Sequence, residues 1–399
     1  MSYKLVIAKD NNKVYSALVD NKKRLIELGI SKDNSNELIG RIYIGKVVNV
    51  IKSMNAAFIN IGLDKNAYMS LDTVSDIHYT KSNNKDKLCN GDEIIVQVIK
   101  EAHGTKGCVV SPYISLTGRY VVLTTGKNFV GLSSKINDNY EKERLKNIME
   151  KYVTDSYGFI VRTNAYKINE SLIHNEVEHL KSMYMNLMNV AEYRMCYTEI
   201  YKGISSVLKF VRDMYDSNIE EYIIDDKEIY EQVLGYIQNT NPDLIRKIKL
   251  YTDKNLSLFN LFGLESKIKK ALNEKVWLKS GGSLVIQPTE ALVSIDVNTA
   301  KFTGKKNLED TIFKTNIEAA KEIAHQIRLR NLAGIIIVDF IDMKDKEHIN
   351  ELLKELTYYV RKDRNKVFVM GITKLGLVEM TRKKTSIPLY QQIDNQKKS

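Results

Sequence analysis

Two short motifs in the last third of the chain place carboxylates where they could act together. The first is Ser294-Ile295-Asp296-Val297-Asn298. In an extended strand residues two apart share a face, so Asp296 and Asn298 project from one side, just ahead of a polar loop from Thr299 to Lys306. The second is Val338-Asp339-Phe340-Ile341-Asp342. Asp339 follows four consecutive β-branched residues, which predicts a place at or near the end of a buried strand. Burying a carboxylate is costly unless something pairs it, and a divalent cation does so well. Mg²⁺ favours one or two carboxylates with retained water and a substrate phosphate; it can polarise a phosphodiester and lower the pKa of bound water. Asn298 cannot titrate, but its amide can donate to a phosphate oxygen or position water. The set suits metal-assisted phosphodiester hydrolysis. The alternative that spacing leaves open is that each Asp only caps a turn.

Cations crowd the same region. Residues 271–399 hold 22 Lys and Arg against 16 Asp and Glu. Thr303-Gly304-Lys305-Lys306 follows the first motif directly, Arg328 and Arg330 end the segment leading to Asp339, and Arg361, Lys362, Arg364 and Lys366 cluster beyond it. Such cations suit a phosphate backbone, or else they decorate helix C-termini.

These side chains need a scaffold. WLKSGGSLVIQPTEALVSIDVN predicts a hairpin turning near QPTE. The next segment, from Asn307 as N-cap to Asn331, predicts a helix, with Leu308, Ile312, Ala320, Ile323 and Ile327 on one face. GIIIVDFIDM predicts a buried strand, 345–362 a second helix and KVFVMGIT another strand. That order predicts a layered α/β domain, with a polar, basic tail after Met380 that frays. Upstream, residues 3–30 predict a strand meander. From 38 to 114 five short β-rich runs suit a small closed barrel, the OB-fold first, with a long polar loop from Thr73 to Gly91. Residues 119–135 and 157–163 predict strands, 140–152 a helix, and 168–216 a largely helical stretch whose stripe is Ile173, Val177, Leu180, Tyr184 and Leu187. A strand at 219–224 and a helix at 227–239 complete the series.

The length, 399 residues, predicts two to four domains. A hydrophobic share of 43% and a charged share of 27% exclude wholesale disorder. The net charge of +11 points to a polyanionic partner, nucleic acid before an anionic membrane surface. Cys89, Cys108 and Cys196 lie far apart without a CxxC pair, which argues against a zinc ribbon and for free buried thiols in a reducing cytosol. The run LAGIIIV is far short of the roughly 20 residues a membrane span needs, and the N-terminus lacks the apolar run of a signal peptide. The expectation is a cytoplasmic protein with no membrane span.

The ordered series SIDVN, TNIEAAKEIAHQIRLRNLAGIIIVDFIDM and GITKLGLVEMTRKK, preceded by KIKLYTDKNLSLFNLFGLESKI and WLKSGGSLVIQPTEALVSIDVN, resembles the catalytic core of the bacterial ribonuclease E/G family. The likeness runs over nearly the whole chain. It implies a Mg²⁺-dependent endoribonuclease, with Mn²⁺ as a substitute, that cuts single-stranded, AU-rich RNA in rRNA processing and mRNA decay. It also implies that Asp296 and Asp339 hold the metal, that Asn298 supports the attacking water or scissile phosphate, and that Asp342 is a nearby structural group. Phe58, Tyr68 and Lys106 match the family's RNA-binding residues, and Gly118, Val122, Arg162 and Thr163 its 5′-monophosphate pocket. In VGLSSKI, Ser134 stands where the family often has Arg, with Lys135 next.

The implied architecture is multidomain α/β: an RNase H-like subdomain (1–37 and 205–270) with an S1-like OB-fold barrel (38–114) inserted, a 5′-sensor region (115–204), a DNase I-like catalytic subdomain (271–390) and a tail (391–399). Longer members carry a CPxC-type motif after the LEM(S/T)R region, where a zinc links protomers. TRKKTSIPLYQQIDNQKKS has none, so a monomer or homodimer without zinc is expected in place of a zinc-linked tetramer. The competing expectation is an RNA-binding relative that does not cut.

Overall fold

The structure is a computed structural model, and it describes residues 2–32, 37–72, 77–80, 87–102, 106–214, 218–299 and 308–394. The chain divides into two compact units. One comprises residues 1–33, 216–230 and 247–399, and the other 34–215 and 231–246.

The first unit opens on a meander of three antiparallel strands, β1 (Tyr3–Asp10), β2 (Lys13–Asp20) and β3 (Leu25–Lys32). Asn11, at a left-handed φ of 51°, makes the tight turn between the first two. The chain then builds the second unit. Here β4 (Ile42–Ile51), β5 (Ala56–Asn60), β6 (Ala67–Ser70), β7 (Glu93–Lys100) and β8 (Val109–Ser111) close into a barrel, because β4 pairs with both β5 and β7. Val47, Ala57, Ile59, Ala67, Met69, Ile94, Val96 and Val98 fill its interior. Part of the polar stretch between Thr73 and Gly91 lies outside the described residues; Tyr79, within it, bridges to Ile94.

A four-stranded sheet follows, made of β9 (Ser115–Thr117), β10 (Val121–Thr125), β11 (Val130–Leu132) and, after helix α1 (Asn139–Glu150), β12 (Tyr157–Val161). Helix α2 (Glu170–Tyr193) lays the stripe Ile173, Val177, Leu180, Tyr184 and Leu187 into the same core, as its period requires. The expected helical tract is interrupted: β13 (Glu199–Tyr201) adds to the barrel beside β4 before helix α3 (Ser206–Asp213). Three residues are too few to show a period of two, so this strand is set by its partner rather than by its own pattern.

Then β14 (Ile219–Ile224) returns to the first unit and pairs parallel with β1. Helix α4 (Lys227–Thr240) follows, and β15 (Ile248–Leu250) pairs parallel with β14. The sheet order is β15-β14-β1-β2-β3. It packs against Leu258 and Phe259 of α5 (Leu258–Leu261) and Leu264 and Ile268 of α6 (Leu264–Leu272).

The last sheet carries the two motifs. Its strands are β16 (Lys275–Trp277), β17 (Ser283–Pro288), β18 (Leu292–Asn298), β19 (Gly334–Asp339), β20 (Val367–Ile372) and β21 (Val378–Arg382), in the order β16-β17-β18-β19-β21-β20. Helix α7 (Leu308–Leu329) is the crossover from β18 to the parallel β19, and α8 (Lys346–Val360) follows β19. Both helices cover one face, where Ala320, Ile323, Ile327, Leu352 and Leu356 meet Leu284, Ile295, Ile336, Val338 and Met380. Asn307 and the Thr303–Lys306 run lie outside the described residues.

Three expectations change here. β19 is not buried on both sides: its other face is open and Ile335 is 51% exposed, since helices cover only one layer. From 381 to 394 the chain does not fray: Arg382 is buried in β21, bonded through Nε to Asp363 Oδ2 at 2.8 Å, and Leu389 of α9 (Leu389–Asp394) is buried too. Of the cysteines only Cys108 is buried; Cys89 is exposed and Cys196 half-buried. Among the described residues no helix is long and apolar enough to cross a membrane.

Candidate functional site

Register brings the two carboxylates together. β18 and β19 run parallel, and Asp296 pairs directly with Asp339. Neighbouring strands are about 4.8 Å apart, so the two side chains stand side by side on one face. In β18 Val293, Ile295 and Val297 turn into the core, which sends Ser294, Asp296 and Asn298 to the open face. Asp296, Asn298 and Asp339 are all exposed. The burial cost expected for these carboxylates is therefore absent. Asn298 donates from Nδ2 to Asp296 Oδ2 at 2.6 Å. Asp342 is exposed beyond the strand end, off this row.

The loops around the pair are held from α7. The Asn316 side chain, fully buried, accepts from the Ile341 N–H at 3.2 Å and donates to the Ile341 carbonyl at 2.8 Å, fixing the chain just after Asp339. Glu309 Oε1 accepts from the N–H groups of Lys344 and Asp345 at 2.8 and 3.2 Å. Glu318 accepts from the N–H groups of Lys279 and Ser280 at 2.7 and 3.1 Å, pinning the turn between β16 and β17. Burial would raise its pKa, but Ser280 and the backbone donors outweigh it and hold the carboxyl below its ordinary value. Sequence reasoning missed these anchors, since each is a polar residue inside a helical pattern whose partner lies far along the chain.

Among the described residues no group of three or more His, Cys, Asp or Glu side chains is arranged to hold a metal ion. Two carboxylates and an amide on an open face still match what Mg²⁺ takes, since it keeps several waters and fills its shell from substrate phosphate. The cations expected beside the site are partly committed elsewhere. Arg328 bonds Glu27, Arg364 lies 3.6 Å from the same carboxylate, and Arg330 is buried against Gln326 at 2.7 Å. These three guanidinium groups are thus engaged within the protein.

On the barrel, Phe58 and Tyr68 face each other across β5 and β6, with ring centroids 6.1 Å apart in an edge-on arrangement. Both are half-buried and point outward, because Ala57, Ile59, Ala67 and Met69 take the inward positions. Phe58 is thus not a core residue of the barrel. Lys106 is exposed, two residues before Cys108, whose carbonyl accepts the Tyr68 N–H at 2.8 Å. The segment lies close enough that a Cβ on Gly107 would stand 2.1 Å from the Asn66 carbonyl oxygen, so only glycine fits.

The third group lies on the four-stranded sheet. Arg162 donates from Nη1 to the Gly118 carbonyl at 2.6 Å and from Nη2 to Asp213 Oδ1 at 2.7 Å. Thr163, next in sequence, shares a 2.9 Å hydroxyl contact with Ser133. Val122 pairs with Ile160 and Thr117. Asp213 also takes Arg212 Nε at 3.0 Å and Nη2 at 3.1 Å. Burial pushes the Asp213 carboxyl up, but the two guanidinium groups outweigh it and hold it below the usual range. Glu176, buried on α2, accepts the N–H groups of Arg119, Tyr120 and Val121 at 2.6, 2.6 and 2.9 Å and so shapes the loop after Gly118. A Cβ at Gly118 would stand 2.5 Å from the Glu176 carboxyl carbon. Ser134 is exposed, and Ser133 rather than Ser134 meets Thr163.

Comparison with known proteins places these groups in context. A model described as the ribonuclease E/G family matches residues 115–385. Ribonuclease G of Escherichia coli (strain K12) is 38% identical over 374 residues, covering 90% of this chain and 76% of that protein. Ribonuclease G of Haemophilus influenzae is 38% identical over 371 residues, covering 90% and 75%. A putative ribonuclease E of Buchnera aphidicola subsp. Baizongia pistaciae is 34% identical over 395 residues, covering 96% of each chain.

Proposed function

The chain belongs to the ribonuclease E/G family, and on that premise we propose that it is a Mg²⁺-dependent endoribonuclease. It hydrolyses phosphodiester bonds in single-stranded, AU-rich RNA, favours 5′-monophosphorylated ends, and acts in RNA processing and decay in the cytoplasm. The observation that carries this reading is the in-register pair Asp296 and Asp339 on adjacent parallel strands, exposed together with Asn298 on an open face.

Asp296 and Asp339 would hold the cation, which when bound supplies Lewis-acid polarisation of the phosphate and a more acidic water. The chain's own residues do the rest. Asn298 donates to Oδ2 of Asp296 and so orients the carboxylate that would hold the cation. Asn316 and Glu309 keep the loop after Asp339 from shifting, so the two carboxylates stay side by side. Phe58 and Tyr68 offer π-faces for unstacked bases and Lys106 a cation for the strand, the combination by which OB barrels hold single strands. Arg162 and Thr163 would take a terminal phosphate through a guanidinium fork and a hydroxyl.

The finer architecture belongs to the same proposal. The order β15-β14-β1-β2-β3, three antiparallel strands with two parallel strands added beside the first, supports the RNase H-like reading. A mixed sheet with the reactive carboxylates at strand ends supports the DNase I-like one.

The test is cleavage of a 5′-monophosphorylated, AU-rich oligoribonucleotide with Mg²⁺, comparing the wild type with Asp296→Asn. Internal cuts that vanish with EDTA and with the substitution, while binding persists, support the reading. Binding without cleavage, with Mn²⁺ as well, would overturn it in favour of an RNA-binding relative.

A further inference from the structure

The catalytic sheet carries a second group on its open face. In the edge strand β16, Val276 packs toward the core, as does buried Leu278 just beyond, so Lys275 and Trp277 stand on the opposite side. The ladder fixes where they lie. Trp277 pairs with Ser283, and Ser283 with Asn298; Lys275 pairs with Val285, Val285 with Asp296, and Asp296 with Asp339. Directly paired residues share a face, so the indole and the ammonium occupy the same two rows as Asn298 and Asp296, two strands away, about 10 Å, with Asp339 one strand further.

Trp277 is the one tryptophan in the chain, yet it is 68% exposed. A ring that large gives up its burial energy only at a position where packing does not use it. Lys275 Nζ lies 4.2 Å from the ring centroid, a cation over the π-face. The turn that follows is anchored by Glu318, so the strand presenting the ring is held in place. An exposed indole with an attached cation is the chemistry that stacks an unpaired nucleobase and neutralises its phosphate.

We propose that Trp277 and Lys275 form a nucleobase-stacking subsite for the RNA strand beside the position of cleavage. The indole stacks on the base of a nucleotide flanking the scissile phosphate, and Lys275 balances the charge of that nucleotide's phosphate. This assignment rests on the reading of Asp296 and Asp339 as the cleavage site; it adds a grip on substrate within the catalytic sheet itself, separate from the barrel.

The single tryptophan makes its own probe. In the full-length Asp296→Asn protein, binding of a labelled AU-rich oligoribonucleotide is followed by anisotropy while tryptophan emission is recorded in parallel. The emission should be quenched and should saturate with the anisotropy, and an abasic nucleotide next to the cut position should abolish the quench. In the otherwise wild-type protein, Trp277→Ala should raise KM by about fivefold to a hundredfold with kcat little changed, and Trp277→Phe should recover most of the loss. RNA that binds by anisotropy without moving the emission, or an unchanged KM in Trp277→Ala, would overturn the subsite and leave the nuclease reading standing. Quenching and a weakened Trp277→Ala complex in a protein that never cuts would sink the nuclease reading and keep the RNA subsite. A protein that binds no single-stranded RNA loses both.

Discussion

The cluster around Arg162 and the pair Asp296 with Asp339 solve the problem of charge in opposite ways. Around Arg162 the charges are satisfied by the protein: the guanidinium holds Gly118 and Asp213, Asp213 holds Arg212, and the buried Glu176 takes three backbone N–H groups. At the strand ends the carboxylates are exposed, and Asp296 has Asn298 as its hydrogen-bond partner. In the first cluster the protein supplies the partners: they hold the Asp213 carboxyl below its ordinary value, while at Glu176 burial still outweighs the three backbone donors and pushes the carboxyl up. On the proposed reading, the second leaves that compensation to an incoming cation and phosphate. Substitutions in the first cluster should therefore cost stability and end recognition, and those in the second should cost turnover alone.

The sharpest way to break this contrast is Asp339→Asn. Cleavage should fall by about a thousandfold while the thermal melt stays in place. A melt that drops in step with activity would make Asp339 structural and erase the difference between the two regions. Glu176→Gln is the counterpart. Its amide group would face backbone donors, and stability should fall by about 2 kcal/mol in urea titration, with cleavage of 5′-hydroxyl RNA per folded molecule retained. Arg162→Lys should reduce the preference for a 5′-monophosphate over a 5′-hydroxyl by about tenfold in competition assays, since an ammonium cannot reproduce the planar fork. An unchanged preference would remove Arg162 from end recognition.

The smallest effect is in pH. The folded state holds Asp213 below its ordinary value, so its contribution is complete above the unfolded value of about 3.9 and is lost as pH falls through the lower folded value. Asp213→Asn should flatten that acid limb of the stability curve, by about 1 kcal/mol or less for a partly exposed group. A limb of equal steepness in both proteins would assign acid sensitivity elsewhere.

Much of the scaffold was readable because it repeats. The alternation of Ile295, Asp296, Val297 and Asn298 is the alternation of the strand, and the stripe from Ile173 to Leu187 is buried as its period requires. The motifs at Asp296 and Asp339 fall on adjacent strands, as a shared site needs. What escaped was set at long range. β21 alternates correctly, but its last inward position is Arg382, whose burial depends on Asp363 nineteen residues earlier. Glu176 sits in a helix pattern and finds its partners 55 to 57 residues away. Arg328 read as a cation near phosphate and instead meets Glu27. The run Ile335 to Val338 read as buried throughout because apolar content reveals how sticky a strand is, not how many layers cover it.

The parallel pairing of β18 with β19 also governs when the proposed site comes together. Asp296 leaves the ribosome well before Asp339, and the two cannot meet until all of α7 has been made and folded back as the crossover. β19 then takes β21 on its far side, after α8 and β20 have been made, and the N-terminal meander itself waits for β14 to pair with β1. Contacts so distant along the chain form late. A nascent chain grown through β18 but not through β19 thus carries Asp296 without the strand that places Asp339 beside it. The proposed site is therefore assembled late in folding, because its two halves lie on either side of a helix that must be made and docked first.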